Sequence, residues 1–125
     1  MTEQRQRGER NTAARNSRDC GVRALSIAAN IPYQQAFDLL AARGRVQSGR
    51  RGVTYWSDIE ACLWKLGFKV RWQNGDGTLK TAGRNYPGGV WIFHTNDHFA
   101  ACVDGTVYDI WANTARRVKD AYRII

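Results

Sequence analysis

Three cysteines and two histidines are the residues of this chain best suited to attack a carbonyl or carry a proton, and their spacing is uneven. Cys20 opens the segment Asp19 to Ala29, in which Val22, Leu25, Ala28 and Ala29 recur at helical spacing with no proline. That places a thiol on the first turn of a helix. The positive end of the helix dipole and the unpaired backbone N–H groups there lower a thiol's pKa and favour thiolate. The same helix start can receive an oxyanion. The Cys20 backbone N–H is one donor, and a side-chain amide just upstream, with Asn16 the candidate, is a second. Arg23, one turn on, either adds positive potential or is a solvated helix residue.

A base for that thiol comes from the second half of the chain. The runs His98 to Val103 and Thr106 to Trp111 flank Asp104-Gly105, a dipeptide that favours a two-residue hairpin with positive φ at both turn positions. Val103 then pairs with Thr106, Ala100 falls opposite Asp109, and His98 falls opposite Trp111. His98 and Asp109 become diagonal neighbours on one face, roughly 7 to 8 Å apart at the backbone and within side-chain reach. A carboxylate so placed fixes the tautomer of the imidazole and stabilises the imidazolium, as the third member of a nucleophile, base and orienter triad does.

Other residues compete for these roles. His94 ends the preceding strand, and a turn through Thr95-Asn96-Asp97 brings it back near His98, as a substitute base or a substrate-positioning group. Only His98 has a register that links it to a carboxylate. Cys62 on a helix face and Cys102 on a strand read as small buried hydrophobes. Cys20, His94, His98 and Cys102 match no common zinc spacing, so no metal and no cofactor is expected. An odd number of scattered cysteines without a Cys-x-x-Cys pair argues against a disulfide framework, and reduced thiols in a cytoplasm are the simplest reading.

The elements that must position these groups follow from periodicity. After the Cys20 helix, capped by Asp19 or Ser17 and ended near Asn30, Pro32 opens a second helix with Phe37, Leu40 and Ala41 inward and Gly44 as its stop. A third helix runs from about Thr54 to Leu66, with Ile59, Cys62, Leu63 and Leu66 on one face and Gly67 at its end. The period then changes. Phe68 to Trp72 alternates as a short strand, a Gly-rich turn region follows, and Val90 to His94 reads as a buried strand. Helices followed by strands predict an α+β architecture with an antiparallel sheet.

A chain of 125 residues, 43% hydrophobic with five Trp, fits one domain with one packed core. Its formal charge is +8. Five arginines between Arg5 and Arg18 lie among polar residues, so residues 1–18 read as a flexible basic arm and residues 19–125 as the domain. A second cluster, Arg43, Arg45, Arg50 and Arg51, lies in a loop-like stretch. With Tyr55 and Trp56 as exposed aromatics, these features define an alternative function: a non-catalytic binding protein that docks to a host factor or nucleic acid. No run approaches the roughly 20 apolar residues that span a bilayer, and no secretion signal opens the chain, so a cytoplasmic protein without a membrane partner is expected.

Asp19-Cys20-Gly21-Val22-Arg23-Ala24-Leu25, the Pro32 helix, Pro87-Gly88-Gly89 before a strand, His98-Phe99-Ala100-Ala101-Cys102-Val103-Asp104-Gly105 and Tyr108-Asp109-Ile110-Trp111 together resemble the small papain-like cysteine-peptidase-type proteins encoded by bacteriophages. The chain is more distantly similar to the bacteriocin-processing peptidase domains of bacterial exporters. The resemblance implies a papain-like fold acting on an amide, isopeptide or thioester carbonyl of a protein or peptide substrate. It implies Cys20 as nucleophile, His98 as base and Asp109 as orienter, at work in the host cytoplasm. It departs at one position: related peptidases carry a glutamine upstream of the cysteine as an oxyanion donor, and Ala14 stands there, leaving Asn16 as the nearby amide.

Overall fold

The computed structural model describes residues 19–43, 55–96, 98–108 and 115–125. The basic arm, Asn16, Ser17, Gly44, the Arg45 to Arg51 stretch, Asp109 and Trp111 lie outside them. Helix α1 spans Cys20–Ala29 and every residue from Gly21 onward is buried. Gly21, Ala24, Ala28 and Ala29 explain how: small side chains let neighbouring backbone come close on more than one side. The helix stops at Asn30, whose φ of 59° puts it in the left-handed region that asparagine tolerates, and Ile31 N–H returns to the Ser26 carbonyl at 3.0 Å.

Helix α2, Tyr33–Ala42, starts after Pro32, which takes the N-cap position with φ −60°. Its buried residues are Tyr33, Ala36 and Leu40, whereas Phe37 and Ala41, expected inside, are half-buried. The helix is rotated so that the stripe beginning at Tyr33 faces α1. Helix α3, Trp56–Lys65, buries Ile59, Cys62 and Leu63 as expected. Gly67, at φ +97°, lets Phe68 N–H reach back to the Leu63 carbonyl at 2.9 Å.

The strands are β1 (Val70–Asn74), β2 (Val90–Thr95), β3 (His98–Val103), β4 (Thr106–Tyr108) and β5 (Asp120–Ile124). They form one antiparallel sheet in the order β1-β5-β2-β3-β4. Two features exceed the sequence reading. The Gly-rich region between β1 and β2 contains a 3-10 turn, Leu79–Thr81, that runs into the short helix α4, Ala82–Asn85. The final segment, assigned to no element from sequence, is β5, and it inserts between β1 and β2.

The hairpin register holds over the described residues. Val103 pairs with Thr106, Cys102 with Val107 and Ala101 with Tyr108, while Asp104 and Gly105 have φ of 49° and 86°. Asp104 also ties the turn to the start of β2. Gly89 N–H donates to Asp104 Oδ1 at 3.1 Å, and Asp104 N–H donates to the Gly89 carbonyl at 2.8 Å.

The sheet separates two apolar cores. On one face Val22, Leu25, Leu40, Ile59 and Leu63 from the three long helices meet Ile92, Phe99 and Ile124. On the other, Leu79, Ala82 and Tyr86 cover Trp91, Phe93, Ala100, Cys102 and Ala121. The architecture is α+β. No helix among the described residues is long and apolar enough to cross a membrane.

Candidate functional site

Cys20 is the first residue of α1 and is half-buried against the helix-side core. The other two thiols are not comparable to it. Cys62 is 2% exposed and Cys102 0%, and burial pushes the Cys62 thiol up and the Cys102 thiol up to about 11, so both stay protonated and inert at neutral pH.

The residue before Cys20 behaves unexpectedly. Asp19 holds the N-cap position, yet its side chain makes no capping hydrogen bond to α1. Its Oδ2 instead lies 2.8 Å from Arg23 Nη2 and accepts a 3.0 Å bond from the Tyr33 hydroxyl at the start of α2. Arg23, one of two sequence alternatives a solvated residue, is 5% exposed, with its guanidinium 5.4 Å from the Tyr33 ring centre. Its position on α1 brings it four residues round to the carboxylate, where an ion pair offsets the desolvation of both groups.

α1 packs directly on β3, whose first residue is His98. His98 is fully buried. No hydrogen bond joins Cys20 to either histidine among the described residues. The turn between β2 and β3 is shorter than expected: Thr95 pairs with His98, leaving two residues, Asn96 and Asp97, between them. Because His94 pairs with Phe99, the pleat turns His94 and Phe99 to the helix-side face and His98, Ala100 and Cys102 to the opposite one. The two imidazoles therefore do not meet.

His94 has a carboxylate of its own, which sequence reasoning missed. It stands opposite Asp120 across β2 and β5, with Nδ1 3.1 Å from Oδ2, and it stacks on Phe99 with ring centres 5.0 Å apart. Trp72 Nε1 donates to the other Asp120 oxygen at 2.9 Å. That indole bond, ahead of the bond from His94 and against partial desolvation, holds the Asp120 carboxyl below its usual range. An ionised Asp120 fixes the N–H on Nδ1 and leaves Nε2 of the neutral ring as an acceptor. Asp120 opens an unremarkable five-residue segment, so the available signal was a histidine on a strand in need of a partner.

Trp56, expected to be exposed, is half-buried, with its ring 3.6 Å from that of Tyr122 and 6.3 Å from that of Phe99. Tyr55 is exposed as expected. Among the described residues no group of three or more His, Cys, Asp or Glu is arranged to hold a metal ion. Comparison of the chain with protein families, with curated proteins and with solved structures returns no match.

Proposed function

We propose that the chain is a papain-like cysteine hydrolase or acyl transferase acting on an amide, isopeptide or thioester bond of a protein or peptide. Cys20 attacks the carbonyl carbon. His98 takes the thiol proton and returns it to the leaving group, Asp109 orients His98, and the helix-start amides with Asn16 receive the oxyanion. The supporting observation is a half-buried thiol on the first turn of a buried helix; the pleat of β3 turns His98 to the face away from that helix, so the role of His98 rests on its sequence register with Asp109 and not on this packing. Attack forms a thioester and releases the amine or thiol; water or an acceptor nucleophile then displaces Cys20.

A variant of this reading makes His94 the base, held by Asp120. It is favoured by the 3.1 Å contact and by the shared face of His94 and the core that Cys20 borders. One experiment covers both. The rate of Cys20 alkylation by iodoacetamide is followed across pH in the wild type, His98→Ala and His94→Ala, with the labelled residue assigned by peptide mass. Loss of reactivity at neutral pH in His98→Ala alone supports the triad, and loss in His94→Ala alone moves the base. A thiol that titrates near the ordinary value of about 8.5 and is indifferent to both changes removes the enzymatic reading.

The second reading is a binding protein on the same scaffold. It is favoured by the exposure of Tyr55, Trp64 and Trp72 and by eight basic against three acidic side chains among described residues from Phe68 on. Salt-dependent binding to RNA or DNA that survives Cys20→Ala is its signature.

A further inference from the structure

A carboxylate immediately before a nucleophilic cysteine at a helix start is an electrostatic contradiction. An N-cap aspartate ordinarily turns onto the N–H groups of the first turn. Here that would occupy the donors that stabilise a thiolate and set a negative charge beside the sulfur. The geometry avoids the first and offsets the second with a paired cation. Asp19 makes no bond to the α1 amides; Arg23 and Tyr33 hold its Oδ2, and the side chain is 2% exposed.

We propose that Arg23 and Tyr33 are positioning residues for Cys20: together they draw the Asp19 carboxylate away from the helix tip and neutralise it, leaving the first-turn amides to the sulfur and the oxyanion. The proposal rests on Cys20 being the nucleophile. Three observations on different elements converge. Arg23 lies one turn along α1, and its Nη2 meets the carboxylate at 2.8 Å. Tyr33, the first residue of α2, donates its hydroxyl to the same oxygen while its ring carries the guanidinium at 5.4 Å, so one side chain fixes both partners. Asp19 Oδ1 is buried with no hydrogen-bond partner, so the carboxylate depends on this pair for its compensation. The other ionisable groups on elements packed against α1 are Asp38 of α2, Asp58, Glu60, Cys62 and Lys65 of α3, His94 of β2 and His98 and Cys102 of β3. Asp38 and Lys65 are exposed, and Asp58 pairs with Arg43.

The pattern Asp-Cys-x-x-Arg thus acquires a physical meaning. The aspartate takes the N-cap position without bonding the first turn, and the arginine keeps it from opposing the cysteine.

The test is the pH profile of Cys20 alkylation by iodoacetamide in the full chain, with folding checked by near-UV circular dichroism. Arg23→Met frees the carboxylate and is expected to raise the thiol titration by about one unit, roughly a tenfold loss of reactivity below it. Arg23→Lys, which keeps the charge, restores most of the reactivity. The double change Asp19→Asn with Arg23→Met removes both charges and returns the titration toward the wild-type value. If Arg23→Met does not fold, Tyr33→Phe carries the test, with a smaller upward shift expected. A folded Arg23→Met or Tyr33→Phe protein whose Cys20 titrates as in the wild type overturns the proposal, as does a double variant that fails to recover. Measured beside them, His98→Ala and His94→Ala separate the outcomes. Reactivity lost with a histidine but unmoved in Arg23→Met leaves the nucleophile and removes the positioning role. A shift in Arg23→Met with neither histidine mattering keeps the charge coupling and removes the enzyme.

Discussion

His94 and Asp120 face each other across β2 and β5 with 3.1 Å between Nδ1 and Oδ2, and Trp72 donates to the second carboxylate oxygen from β1. Three strands are thus joined by one polar chain on the face that carries the long helices. Partial exposure, 34% for His94 and 30% for Asp120, keeps the contact modest, under about 1 kcal/mol.

The pH dependence of stability carries the signature of this chain. Asp120 is held below its ordinary value of 3.8, so its contribution is present above the unfolded carboxylate range and is lost as pH falls through the lower folded value. Urea melts at successive pH values should show wild type more stable than Asp120→Asn at neutral pH, with the gap closing on the acid side. A gap unchanged down to the acid limb would show that the carboxylate charge contributes nothing.

Thiol counting should single out Cys20. Native protein is expected to take up one equivalent of iodoacetamide and denatured protein three, because Cys62 and Cys102 are buried and held protonated. Rapid native labelling of Cys102 would contradict the second core.

Two glycines should differ sharply in their tolerance of a side chain. A Cβ on Gly75 would lie 1.9 Å from the Val118 carbonyl oxygen, and Gly75 N–H bonds the Lys119 carbonyl, so the close approach is between backbones and cannot be relieved by a rotamer. Gly75→Ala should lower stability by about 1–3 kcal/mol or more, the range for overpacking. Gly88→Ala meets nothing within 4 Å and should stay within about 0.5 kcal/mol of wild type in thermal or denaturant melts.

The β3–β4 turn should be sensitive to its second residue. Gly105 has φ +86° and its added Cβ would sit 3.4 Å from Gly83 Cα. Gly105→Ala should cost about 1–2 kcal/mol, measured by equilibrium unfolding. Asp104→Ala loses the bond from Gly89 N–H and should cost about 1 kcal/mol. Equal stability in all three proteins would mean the turn does not set the register of β3.

Local chemistry made much of this molecule legible in advance. The Cys20 helix start, the α3 face of Ile59, Cys62 and Leu63, and the hairpin at Asp104-Gly105 with its pairing of Val103 to Thr106 each depend on residues close in sequence, whose propensities and spacing act before any long-range contact forms. What tertiary structure alone decided involves distant partners. Nothing in Asp120 to Ile124 announces a strand that slips between β1 and β2, yet that insertion creates the pairing of His94 with Asp120 and of Trp72 with the same carboxylate. Arg23 reads equally well as a solvated residue until Tyr33, on another helix, encloses it with Asp19. A strand's partner and a charge's burial are set by how whole layers close on one another, and a single run of residues does not encode that choice.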